Sequence, residues 1–216
     1  MIVMPANNSK GIIHYWAGKG YPVGWLCGPG SIKEPTDYIP YCCDNGRYSV
    51  WSKGKEWNED EFIEMLDLFS AFQNQPGWVV VPDVVANKDG TLSEWDKWEK
   101  PLRGYNIPLA FVAQDGMNPS DVPSSADLVF MGGSFEWKWS NLRHFTEKFK
   151  RVHVGRVNTL RHLKTCKNLG VESVDGTGWF RHPTRFKGLE SWFKLQSGEL
   201  EESQLELPIG KRRKQV

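Results

Sequence analysis

The sequence predicts an α/β fold, a compact TIM-like (β/α)8 barrel, and three observations predict it. Short apolar runs recur at 38–43, 78–82, 109–113, 128–131, 152–154 and 172–174. The runs are continuous rather than alternating, as strands covered on both faces are. Helically spaced stretches lie between them, so strand and helix alternate along the chain. Segments 12–16 and 23–26 are candidates for two further strands. Eight strands would close a barrel, at 216 residues one near the lower size limit. An open doubly wound sheet is the alternative, but neither G-x-G-x-x-G nor a phosphate-binding P-loop is present to support a nucleotide fold of those kinds.

The helices come next, in order. Asn58 is placed to cap a helix carrying Phe62, Met65, Leu66, Phe69 and Phe72 along one face. Helical patterns then run over 93–102, 140–149 and 159–169, the last stopped by Gly170 in the position where left-handed backbone ends a helix. A final helix is expected over about 183–195. Residues 1–196 therefore read as a single barrel domain, and 197–216 as a polar tail ending in the basic cluster Lys211, Arg212, Arg213 and Lys214.

Composition narrows the class. A formal net charge of +1 argues against a generic binder of polyanions, while 27 Lys and Arg leave room for a local basic face. No leader-like apolar segment opens the chain and no stretch approaches a membrane span, so a soluble cytoplasmic protein is expected. The four cysteines, Cys27, Cys42, Cys43 and Cys166, have no zinc-type spacing and read as small apolar residues. The 11 tryptophans read first as packed bulk; Trp137, Trp139 and Trp179 are candidates for lining a nucleic-acid groove, with at least one in the core.

The residues just after each strand are more informative. The run at 38–43 leads into Asp44, Asn45 and Gly46; 78–82 into Asp83; 109–113 into Gln114, Asp115 and Gly116. After 128–131 come Gly132, Gly133 and Ser134; after 152–154, Gly155 and Arg156; after 172–174, Asp175 and Gly176. Any one of these fits an ordinary turn or cap. Six in succession fit a shared site better, because in a parallel barrel the strand ends converge on one face. Carboxylates are then the available chemistry. One can attack a sugar carbon whose transition state resembles an oxocarbenium ion, and a second can carry the proton. A third carboxylate, an amide side chain and glycine N–H groups match the edge of guanine, which donates at N1 and its 2-amino group and accepts at O6. An aromatic such as Tyr48 can stack on the ring.

The stretches VVVPDVV (79–85), LAFVAQDG (109–116), DLVFMGGSFEWK (127–138) and 152–183, with its VHVGRVNTLRHL and SVDGTGWFRHP, resemble the tRNA-guanine transglycosylase superfamily. Within it they are most similar to the DNA-modifying branch called DpdA, over about residues 38–183. The resemblance implies a barrel that exchanges guanine for a 7-deazaguanine through a covalent sugar–aspartate intermediate. It implies Asp175 as the nucleophile and Asp44 as general acid/base, the latter in a motif where Asn45 stands in place of the family's serine. It implies base recognition by Asp83, Gln114 and the Gly132–Gly133 backbone, with Tyr48 at the stacking position. The zinc site of the tRNA enzymes, three cysteines and a histidine, has no counterpart, which favours DNA over tRNA. No metal or redox cofactor is expected; the expected partners are guanine-containing DNA and a free 7-deazaguanine base such as the 7-cyano form.

Arg156, Arg181, Arg185 and Lys187 are candidates for holding the nucleic-acid backbone, with a salt bridge or a solvated charged face as the other readings. A tRNA-guanine transglycosylase, a hydrolytic N-glycosylase using the same carboxylates, and a non-catalytic nucleic-acid-binding homologue remain open as alternatives. Glu136 orders the glycine loop or starts a helix. His153, His162 and His182 lack metal partners at useful spacing and read as satisfied histidines.

Overall fold

In a computed structural model of the chain, which describes residues 1–5, 10–30 and 35–201, strand parity sorts the apolar residues into two layers. Strand β5 (Leu109–Ala113) shows the rule: Leu109, Phe111 and Ala113 join an outer core, while Ala110 and Val112 join a separate inner one. Successive side chains of a strand point to opposite faces, so a sheet closed on itself has an inside and an outside. The inner core holds Met4, Leu26, Cys42, Trp78, Val80, Ala110, Val112 and Leu128, with Ile2 and Phe130 against it. The outer core lies between strands and helices.

Eight strands make the sheet: β1 (Ile2–Met4), β2 (Trp25–Cys27), β3 (Tyr41–Cys43), β4 (Val79–Val80), β5, β6 (Leu128–Met131), β7 (Val152–Val154) and β8 (Ser173–Asp175). Consecutive strands from β2 to β8 pair in parallel, and β8 pairs with β1. The last seam is closed by a parallel bridge between Val3 and Val23, where the Val3 amide donates to Pro22 O at 2.8 Å and Gly24 donates to Val3 O at 3.0 Å. The fold is therefore the (β/α)8 barrel, and the open-sheet alternative falls.

The helices are α1 (Lys10–Gly18), α2 (Arg47–Trp51), α3 (Glu59–Ser70), α4 (Lys88–Arg103), α5 (Phe135–Lys148), α6 (Leu160–Asn168) and α7 (Pro183–Gln196). As expected, Asn58 caps α3, accepting from the amides of Asp60 and Glu61; Thr159, read as the first residue of a helix, is instead the cap of α6, accepting from the His162 amide. Between β5 and β6 only a 3-10 turn, Pro119–Asp121, intervenes, which helps eight strands fit a short chain. No helix of the described residues is long and apolar enough to cross a membrane.

Several expectations are corrected. Segment 12–16 is not a strand but lies inside α1, where Ile13 and Trp16 are buried one helical turn apart. Its run of large apolar residues looked strand-like, but the helical period decides which of them reach the core. The missing strand is instead β1. The run at 38–43 begins too early: Tyr38 is exposed, and pairing starts at Tyr41. Helix α4 starts five residues before the expected 93, because the Asn87 side chain accepts from Gly90 N–H and absorbs what reads as a turn. Helix α5 starts at Phe135 after the Ser134 cap, so Glu136 belongs to a helical first turn. The four cysteines are buried and unbridged, Cys42 facing into the barrel and Cys43 outward. The basic cluster 211–214 lies outside the described residues.

Candidate active site

At the C-terminal mouth of the barrel the same parity carries polar residues inward. Asp44 follows Cys42 on the inner face, Gln114 follows Val112, Gly132 follows Phe130, Gly155 follows His153, and Asp175 follows Ser173. Asp44, Asn45, Tyr48, Asp83, Gln114, Gly132, Gly133, Gly155, Arg156 and Asp175 line one cavity of about 560 Å³, counted to its open mouth, with Val80, Val85, Val112 and Phe130 as apolar wall. A few convergent polar groups on an apolar pocket is the usual form of a small-molecule site. All seven residues expected to act on or hold the base are among the lining.

Asp83 is the most constrained of them. It is 6% exposed and receives Asn45 Nδ2 on Oδ1 at 2.8 Å and Gln114 Nε2 on Oδ2 at 2.6 Å. Burial pushes its carboxyl above the usual carboxylate range, and those two donors oppose the push. Asn45 is itself fixed, donating also to Val81 O at 3.0 Å and accepting from Arg47 N–H at 2.8 Å. Gln114 Oε1 accepts from Ala86 N–H and Gly133 N–H, each at 3.1 Å. Each Asp83 oxygen retains a second acceptor position, and Gln114 Nε2 a second hydrogen, for a ligand.

The glycine pair corrects an expectation. Gly132 N–H donates to Ala113 O at 3.1 Å and Gly133 N–H to Gln114 Oε1, so both amides are spent inside the protein. What the glycines supply is room. A Cβ at Gly132 would lie 2.7 Å from Val112 Cγ1, and one at Gly133, whose φ is +61°, 2.6 Å from the Trp137 ring.

Asp44 sits at the end of β3 and accepts from Gly46 N–H at 3.2 Å. Burial pushes its carboxyl from 3.8 up to about 7; Gly46 opposes this, and the nearby Asp175 and Asp83 carboxylates add to it. A group poised there can give and take a proton near neutrality. Asp175 accepts on both oxygens, from Arg156 N–H at 3.2 Å and from the His153 ring at 3.1 Å.

Arg156 spans the mouth. Its backbone has φ +61°, its guanidinium lies 4.5 Å from the Tyr48 ring centre and donates to Tyr48 Oη at 2.9 Å, and a second nitrogen donates to Gly133 O. Left-handed backbone at a non-glycine residue costs about 1–3 kcal/mol and persists where surroundings enforce it. One face of Tyr48 is thus covered by Arg156, and a base stacking there must displace it. The other expected backbone-holding residues do not line this cavity. Arg181, on the 3-10 turn Thr177–Arg181, and Arg185 and Lys187, on the start of α7, are exposed at the same barrel end; Arg185 borders a separate cavity with Asn158, Thr159 and Trp179. Trp179 is buried, Trp137 lies under Gly133, and Trp139 stacks on His162 at 4.1 Å, so none of the three lines the mouth.

Sequence reasoning passed over Lys138 and read His153 only as a satisfied histidine, which it is. Lys138 on α5 is 1% exposed and donates its ammonium to Gly155 O, bracing the turn that carries Arg156. Burial lowers its pKa to about 8. His153 is fully buried inside the barrel beside Asp175. A histidine between two valines in a buried strand carried the signal: its parity opposes theirs and matches the inner layer.

No protein-family model matches the chain, and no curated protein matches it. Among solved structures the chain is similar to a chain of the tryptophan synthase a2b2 complex from the hyperthermophile Pyrococcus furiosus, at 12% identity and a TM-score of 0.45, over 92% of this chain and 97% of that one. The barrel assignment rests on the strand pairing rather than on this likeness.

Proposed function

We propose that the protein is a base-exchanging transglycosylase that replaces guanine in DNA with a 7-deazaguanine base. The observation that carries this reading is the convergence of Asp44, Asp83 and Asp175, from three strand ends, on one cavity with Gln114. Each carboxylate there has a different environment, which is how one pocket assigns different roles to chemically alike groups. Asp175, held by two donors, attacks C1′; a C1′–O bond forms as the bond from C1′ to the purine breaks. Protonated Asp44 gives its hydrogen to the nitrogen that the departing base leaves by. The incoming 7-deazaguanine loses its ring N–H hydrogen to Asp44, its nitrogen attacks C1′, and Asp175 is released as carboxylate. Asp83 accepts from the N1 and 2-amino hydrogens of either base, and Gln114 Nε2 donates to O6. The 7-substituent, cyano, aminomethyl or amidino, is not read by these groups.

The test is incubation of guanine-containing DNA with free 7-deazaguanines, followed by digestion to nucleosides and mass analysis. Incorporation in wild type and none in Asp175→Asn is expected. Guanine release without incorporation would replace the reading by hydrolysis, and DNA binding without either would reduce the chain to a binding module. Incorporation into tRNA but not DNA would exchange the substrate.

A further inference from the structure

We propose that His153 is a positioning residue that fixes the direction in which Asp175 presents its carboxylate, as the middle member of a chain Ser173–His153–Asp175 inside the barrel. The proposal rests on the exchange reaction above for its kinetic consequence, and on geometry for its existence. His153 Nδ1 lies 2.8 Å from Ser173 Oγ and Nε2 lies 3.1 Å from Asp175 Oδ2. An ionised carboxylate only accepts, so Nε2 carries the hydrogen that Asp175 receives, and Nδ1 shares a hydrogen with the Ser173 hydroxyl. The ring cannot swing away. Trp78 meets it edge-on at 4.9 Å, Phe130 covers it at 4.5 Å, and the residue has no solvent exposure.

Register explains how the chain forms. His153 pairs with Ser173 across β7 and β8, both facing inward, and Asp175 is the next inward residue on β8. Asp175 Oδ2 is thereby held from below while Oδ1 accepts Arg156 N–H from the mouth. With both oxygens tethered, the carboxylate rotates little about its last bond. A misplacement of about 1 Å in such a group can cost on the order of 100-fold in rate. Gly155 leaves the space this needs: a Cβ there would come 2.8 Å from Phe130 and 3.3 Å from Asp175 Oδ2.

Two measurements on the full chain test it. The first needs no activity. Long-range proton–nitrogen NMR of the imidazoles should show one His153 tautomer with an exchange-protected Nε2 hydrogen, lost in Asp175→Ala. A ring averaging between tautomers in wild type would overturn the proposal. The second uses exchange kinetics with His153→Leu and His153→Gln, whose amide N–H can reach the same acceptor. His153→Leu should lower kcat by roughly tenfold or more with the KM for the free base unchanged, and His153→Gln should recover most of that loss. Equal losses in both variants, or losses that track a fall in thermal midpoint, would reduce His153 to packing. Absence of exchange in wild type would defeat the functional reading and leave the NMR result to decide the positioning role.

Discussion

Asp44→Asn tests the electrostatics of the pocket without any assumption about substrate. Folded Asp44 holds its proton up to about pH 7, whereas the unfolded side chain releases it near 3.8. Between those values the folded state binds more protons, so this group costs stability as pH rises from about 4 to 7. One pKa unit is worth about 1.4 kcal/mol, which puts the whole effect near 4 kcal/mol, with about 3 kcal/mol of it between pH 5 and pH 8. Asp44 opens partly to the cavity, and solvent screening lowers the measured value below that ceiling, to about 1–3 kcal/mol. Asparagine does not titrate and keeps nearly the same volume. Urea unfolding followed by tryptophan fluorescence, at pH 5 and pH 8, gives the comparison. The stability of Asp44→Asn relative to wild type should rise by that amount between the two pH values. Other titrating groups largely cancel in the double difference. A change below about 0.5 kcal/mol would mean that Asp44 titrates as an ordinary solvated carboxylate, and the argument that it trades a proton near neutrality would fail.

Substitutions at two further positions probe the walls of the site. Asn45→Ala removes donations to Val81 O and Asp83 Oδ1 and the acceptor for Arg47 N–H, and should destabilise the fold by about 3 kcal/mol in the same assay; a loss under about 0.5 kcal/mol would show that water replaces the amide freely. Arg156→Gly and Arg156→Ala lose the same side-chain contacts, but only alanine keeps a Cβ at φ +61°, so the glycine variant should be the more stable by about 1 kcal/mol; equal urea midpoints would show that the left-handed backbone is not maintained.

Much of this protein is legible before folding. The continuous apolar runs at β5, β6 and β7 show parallel strands because a strand covered on both faces has no polar side to reveal. Asn58, Thr159 and Gly170 mark helix ends through hydrogen bonds made within a few residues, and such local chemistry reads directly. The polar residue after each strand is equally visible, since strand ends of a parallel barrel share one mouth. Failures occurred where local pattern and tertiary need diverge. Residues 12–16 carry strand-like composition, yet only the packing of Ile13 and Trp16 selects a helix. Strand β1, Ile2–Met4 at the chain start, has no helical pattern before it to mark an alternation, and exists because the barrel seam needs a partner for β8 and Val23.

The sequence by itself determined the parallel α/β class, the ends of several helices and the inventory of groups at the strand ends, because these depend on the order of residues along the chain. Only the tertiary structure decided that the barrel closes, that the Gly132 and Gly133 amides are already spent, that Arg156 covers Tyr48, and that His153 reaches Asp175. Each of those depends on register between strands distant in sequence, and a hydrogen bond is decided by tenths of an ångström that no one-dimensional pattern carries.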